Sequence, residues 1–211
     1  MKKILLLILS AVVIFSSTYS QEGDEEIQTI FSRVSSNGFY GGLSLGYSDI
    51  DQRHAFVVGA RGAWIINHSL AIGLGGKAFA NEYEFDALEG EYVNLQGGYG
   101  GLLIEPILGG QQRIHLAIPI LIGGGGIMHA DEYDPHWPSG AGYYTDRSYI
   151  NDRAAFFVLE PGVELELNLL RFLRVSLGAY YRYTSQIDLY DTPSDALNGF
   201  SYELAVKFGK F

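Results

Sequence analysis

Within eight residues the chain gathers His129, Asp131, Glu132, Asp134 and His136, its densest run of metal-ligating side-chain types. Oxygen donors at that density suit a hard cation such as calcium. The spacing completes no EF-hand loop, however, and Trp137 and Pro138 follow directly. The run therefore reads as an acidic, solvated loop without a metal, in which Asp131, Glu132, Asp134, His136 and Trp137 are the candidates for contact with an external partner. A second pair, His68 and Ser69, has the residue types of a lipid hydrolase. Neighbouring residues of an extended chain point to opposite faces, which is a poor geometry for sharing a proton, so the pair reads as turn-forming. The glycine run Gly123 to Gly126 lacks the Lys and the helix of a phosphate loop. No catalytic residue and no cofactor is assigned.

A third set is dispersed along the chain: Arg61, Lys77, Glu105, Glu160, Glu164, Arg174, Arg182, Glu203 and Lys207. Apart from Glu105, each sits at one phase of a stretch whose other phase is apolar. In Ala155–Glu164, for example, Ala155, Phe157, Leu159, Pro161 and Val163 alternate with Phe156, Val158, Glu160, Gly162 and Glu164. Period two is the signature of a strand with two unlike faces. If the apolar face meets lipid, the charged face lines an interior, where buried charges demand partners. They are then a lumenal charge network, and the competing reading is a narrow gated conduit.

Eight such stretches are legible, near Phe39–Tyr47, Ala55–Ile66, Leu70–Phe79, Tyr92–Pro106, Ile114–Ile122, Ala155–Glu164, Leu173–Tyr183 and Phe200–Phe208. The fourth is less regular. Val93, Leu95 and Tyr99 suggest one outward phase, and Leu102, Ile104 and Pro106 the other, so a bulge within Gly97–Gly101 is expected, which keeps Glu105 off the lipid face. The fifth has an unbroken outward row, Ile114, Leu116, Ile118, Ile120 and Ile122, with Pro119 as an unexplained local defect. Connections after strands two, four and six are short and those after three, five and seven long, the largest running from Met128 to Asp152. The expected fold is all-β: an eight-stranded antiparallel transmembrane β-barrel with short periplasmic turns and long external loops. Phe39, Tyr47, Trp64, Tyr99, Tyr181 and Tyr183 are read as its aromatic girdles.

Lys2 and Lys3, an apolar core from Ile4 to Phe15, and small or polar residues to Ser20 make a secretory signal peptide of residues 1–20. Residues 21–37 form a periplasmic tail or a short amphipathic helix built on Ile27, Ile30, Phe31 and Val34, and 38–211 the barrel. There is no cysteine, hence no disulfide, thiolate metal site or lipidated cysteine. Loss of two lysines with the leader leaves 12 Lys+Arg against 24 Asp+Glu, a net charge of −12. That charge disfavours nucleic acid as a partner.

The segments "GGLLIEPIL", "IHLAIPILIGGGG", "VLEPGVELELN" and "YELAVKFGKF" resemble small outer-membrane β-barrel proteins of the Bacteroidota type, over essentially the whole mature chain. The resemblance implies an eight-stranded barrel in the outer membrane of a Gram-negative bacterium, with the barrel-assembly machinery as a partner during insertion. Phe211 departs from the pattern, being out of phase with the outward row ending at Phe208. The expected function is non-enzymatic, structural or surface-interacting, with outer-membrane lipid and an unknown extracellular partner as contacts. The alternatives are a lipid-modifying enzyme and a narrow small-solute channel.

Overall fold

The computed structural model describes residues 37–82, 84–86, 91–131, 153–189 and 192–211. Ten strand segments follow in order: β1 (Asn37–Ile50), β2 (Arg53–Ile66), β3 (Leu70–Asn81), β4 (Glu84–Asp86), β5 (Glu91–Leu108), β6 (Ile114–Ala117), β7 (Ile120–Asp131), β8 (Arg153–Leu170), β9 (Leu173–Thr184) and β10 (Gly199–Lys210). All pair antiparallel, and β1 pairs β2 on one side and β10 on the other. The ring therefore closes, with β6 and β7 sharing one wall position between β5 and β8, and β4 a short extension beside β5. Eight wall positions result, and closure leaves none of these eight at a free edge of the sheet.

Burial alternates with period two along β1, β2, β8, β9 and β10, as in the eBeBeB pattern of β1 and β8. The exposed phase is apolar: Leu43, Leu45, Leu74, Leu102, Leu177 and Leu204 all face outward. An outer surface of this kind suits a hydrocarbon environment rather than water. Aromatic rings mark its two ends. Phe39 pairs with Trp64 at one, and Tyr47 lies in register between Phe56 and Tyr202 at the other, where Tyr181 meets Phe200 edge-on at 4.9 Å.

The hairpin turns 51–52 and 67–69 both pass through the left-handed region. Asp51 and Gln52 have φ of 54° and 59°, and Asn67 and His68 have 53° and 55°. Type I′ geometry matches the twist of the flanking strands, and Asn and Asp tolerate it. Ser69 closes the second turn, its N–H donating to the Ile66 carbonyl at 3.1 Å. Three connections at this end are short, 67–69, 109–113 and 171–172, and both Asn37 and Phe211 lie here. We refer to it as the turn end, and to the opposite end as the loop end.

Two expectations about the strands are corrected. β5 keeps one register with β3 from Leu70↔Pro106 to Ala80↔Gln96, and one with β7 from Val93↔Asp131 to Ile104↔Ile120, so Gly97–Gly101 host no bulge. Leu95 and Tyr99 consequently point inward, in phase with Leu103 and Glu105, and Tyr99 belongs to the lumen rather than to a girdle. Among the described residues the register shifts instead between Asn168 and Leu170 on β8. The long loop after the fifth strand also begins later than read, because β7 extends to Asp131.

Pro119 separates β6 from β7 without shifting register, and it does not act alone. Ile118 donates to the Pro106 carbonyl at 2.9 Å and Gly162 to the Pro119 carbonyl at 2.8 Å, but neither proline can return the bond. On the next ladder, pairing lapses between Leu159↔Tyr183 and Gly162↔Tyr180, where Pro161 stands. Three adjacent ladders thus each lose a bond near one height.

Candidate functional site

The inward phase brings together all nine charged residues that the alternation assigned to the lumen. Arg61 reaches Glu164 at 2.5 Å and Glu105 at 3.4 Å. Lys77 bridges Glu160, at 2.7 Å, and Glu203. Lys207 is the hub, with Glu105 at 3.1 Å, Glu164 at 2.9 Å and Glu166 also in contact. Arg174 meets Glu166 at 3.3 Å. Arg182 differs. Among the described residues it finds no carboxylate, donating instead to the Leu197 carbonyl at 2.6 Å and the Ser48 hydroxyl at 3.3 Å, with its guanidinium 5.5 Å from the Phe79 ring centre.

Two members were missed from sequence, Glu166 and His115, which join at 2.7 Å. Glu166 continues the inward row Glu160, Gly162, Glu164 by one step beyond the stretch as read, and His115 lies between the outward Ile114 and Leu116 within its stretch, so period two places both inside. With Glu166 the described inward residues hold five cations and five carboxylates, so the belt is neutral when His115 is. Isolated buried charges are costly and paired ones tolerable, and the belt meets that condition by balance as well as by contact.

Three phenols add hydrogen bonds to three of the carboxylates. Tyr40 donates to Glu105 at 2.9 Å, Tyr99 to Glu160 at 2.7 Å, and Tyr180 to Glu164. The Tyr180 ring lies flat enough against the wall to receive Lys77 at 3.8 Å from its centroid. Glycine makes the room: a Cβ at Gly162 would stand 2.2 Å from a Tyr180 ring carbon, and one at Gly178 2.8 Å from another.

Apolar packing closes the belt above and below. At the loop end Ile50, Phe79, Leu95, Ile127 and Phe156 form one cluster with Ile187, Leu189 and Leu197 of the β9–β10 loop, which folds over the mouth. That loop is fastened by Asp51 donating to Ala196 at 3.0 Å and Thr184 to the Asn198 side chain at 2.7 Å. At the turn end Tyr40, Ile65, Leu103 and Ile107 pack together, and Phe211 covers them, 6.2 Å from the Tyr40 ring and with Arg174 3.9 Å from its own. The out-of-phase terminal residue is thus turned inward as a stopper. Between the ends a cavity of about 20 Å³ remains beside Lys77, Glu160 and Glu203, room for a single water.

Of the remaining candidates that are described, His68 and Ser69 lie at the turn end and His129 and Asp131 toward the loop end of β7. The Ser69 hydroxyl donates to the Ile66 carbonyl at 3.4 Å, and His68 occupies the left-handed turn, so the pair is bound up in the hairpin. His129 faces the Thr192 hydroxyl at 3.2 Å under the β9–β10 loop. Asp131 is placed only as the last residue of β7, and Glu132, Asp134, His136 and Trp137 lie outside the described residues, as do residues 1–36. No group of three metal-ligating side chains occurs among the described residues.

The comparisons with known proteins agree with this architecture. The crystal structure of Neisserial surface protein A superposes with a TM-score of 0.55 at 9% identity, covering 83% of this chain and 97% of that one. The chain shares the fold of small, eight-stranded outer-membrane β-barrels. The attachment invasion locus protein of Yersinia pestis, solved with the heparin analogue sucrose octasulfate, matches at TM-score 0.43 and 10% identity, over 82% of this chain and 97% of that one. The N-terminal barrel of Pseudomonas aeruginosa OprF matches at 0.43 and 10% identity, over 81% and 96%. No protein-family model matches the sequence, and no curated protein does.

Proposed function

We propose that the protein is a non-enzymatic outer-membrane β-barrel of a Gram-negative bacterium, of the Bacteroidota type, delivered by its leader and acting through its external loops as a structural or surface-interaction protein. The observation that carries this reading is the lumen. Its central charges are consumed by one another, and apolar clusters cover both ends. An interior committed to its own packing supports the wall and offers little to a passing solute. The wall in turn faces lipid, which leaves the loop end as the surface where partners are met. Its largest connection, 132–152, carries Glu132, Asp134, His136 and Trp137, residues suited to a polar contact with an aromatic anchor.

The orientation follows from the short connections at one end, which become periplasmic turns, and the long ones at the other, which become external loops. It is testable because the chain has no cysteine. Trp137→Cys in intact cells is expected to react with a membrane-impermeant maleimide, and Ser69→Cys only after lysis. Labelling of Ser69→Cys in intact cells, with Trp137→Cys silent, would invert the assignment. Replacement of 132–152 by a short hairpin is expected to leave the folded barrel intact and to remove binding of whole cells to host or neighbour surfaces. Unchanged binding would remove the surface role from this loop.

A further inference from the structure

The turn end carries an unbalanced charge. Arg113 ends the β5–β6 turn, Arg171 forms the β8–β9 turn with Phe172, and Lys210 is the last residue of β10; all three are exposed. The backbone sets them side by side. Asn168 donates to the Arg113 carbonyl at 2.9 Å, its side-chain amide to Gln112 at 2.6 Å, and Gly209 to the Phe172 carbonyl at 3.0 Å. The cations therefore stand along β6, β8, β9 and β10, an arc of about 15 Å at the usual strand spacing. None has a carboxylate partner among the described residues, and at this end no described Asp or Glu is exposed, Glu166 being turned into the lumen. The loop end, by contrast, exposes Asp49, Glu82, Asp188 and Asp195.

Beside the three cations stand exposed apolar side chains, Ile114, Leu169, Leu170 and Phe172. A cationic arc immediately above an apolar one has the profile of a membrane surface: phosphates, then acyl chains. We propose that this arc binds the phosphate headgroups of anionic phospholipid in the periplasmic leaflet. The choice of leaflet rests on the orientation proposed above; the choice of lipid does not. Each cation near an anionic lipid surface is worth roughly fivefold in occupancy, so three give a strong preference and single losses give partial ones.

The full mature chain, refolded into nanodiscs of phosphatidylcholine with a minor share of phosphatidylglycerol, is extracted in mild detergent and its retained lipid quantified by mass spectrometry. The wild type is expected to retain phosphatidylglycerol at several times its bulk ratio. Arg113→Gln with Arg171→Gln and Lys210→Gln brings the ratio to the bulk value, each single change lowers it in part, and Arg153→Gln at the loop end leaves it unchanged. Heat-modifiable migration shows that each variant is folded, and the single variants decide the matter if the triple one is not. Retention at the bulk ratio by the wild type, or undiminished preference in the variants, overturns the proposal. So does displacement of the lipid by soluble glycerol phosphate or by carboxylate-bearing cell-wall fragments, which would assign the arc to a free phosphate or to a polymer. Because nanodiscs have no inside, failure here is separate from failure of the labelling experiment on topology.

Discussion

Across the lumen the Tyr99 phenol of β5 donates a 2.7 Å hydrogen bond to Glu160 of β8, the same carboxylate that Lys77 of β3 approaches at 2.7 Å. Glu160 is fully buried, so its charge depends on these two contacts, and they are of unequal kind. Tyr99→Phe keeps the ring and loses one neutral donor, an expected cost of about 1 kcal/mol. Lys77→Met strands both Glu160 and Glu203 without their cation, an expected cost of about 3 to 5 kcal/mol. Urea-dependent unfolding in lipid vesicles measures both. Equal costs would mean that the phenol, not the ammonium, holds Glu160.

That contact also marks where the sequence ceased to be readable. The phases of β8, β9 and β10 were legible because charged residues and apolar ones occupy opposite faces without interruption, as in Leu173–Tyr183 against Arg174, Ser176, Tyr180 and Arg182. β5 was not, because Gly97, Gly98, Gly100 and Gly101 erase the contrast at its centre, and the polar residues on either side, Asn94 and Gln96 before them and Glu105 after, fall in opposite phases. Leu95 and Tyr99 were read as lipid-facing because they share a phase with Val93, opposite the polar Asn94 and Gln96. The loop end of the lumen is an apolar cluster, however, and there an inward Leu is as well placed as an outward one. Glu166 was lost to a strand end drawn too short, an error of length and not of phase, whereas His115 lay within the fifth stretch, between two outward residues, and was not assigned to the lumen.

The lipid-facing phase makes a depth-dependent demand. Leu204 pairs with Leu45 and Leu177 near mid-strand, whereas Phe200 opens β10 beside Tyr181 at the aromatic rim. Leu204→Lys is expected to cost about 2 to 4 kcal/mol and Phe200→Lys about 0 to 1 kcal/mol, because a charge is tolerated at the interface and not at the midplane. Chemical unfolding of the two variants in the same vesicles checks this, and matching penalties would contradict the placement of the girdle.

The line of prolines predicts a local softness in an otherwise continuous wall. Pro106, Pro119 and Pro161 interrupt three neighbouring ladders, and Pro119 with Glu160 also lines the cavity behind them. Amides of Ile118, Ile120, Gly162 and Tyr181 are expected to exchange hydrogen faster than Leu45 and Leu204 at comparable depth in the unbroken β1–β10 ladder. Hydrogen-exchange mass spectrometry in nanodiscs reads the difference. Uniform protection around the ring would show that neighbouring bonds compensate fully.

The central claim is that the lumen is filled by its own charges and closed at both ends. Current through single barrels in a planar bilayer tests it most directly. The account predicts no steady conductance for the wild type at any modest voltage, whatever the cation. Stable open currents, altered in ion selectivity by Glu160→Gln, would contradict it and make the charged belt the lining of a pore.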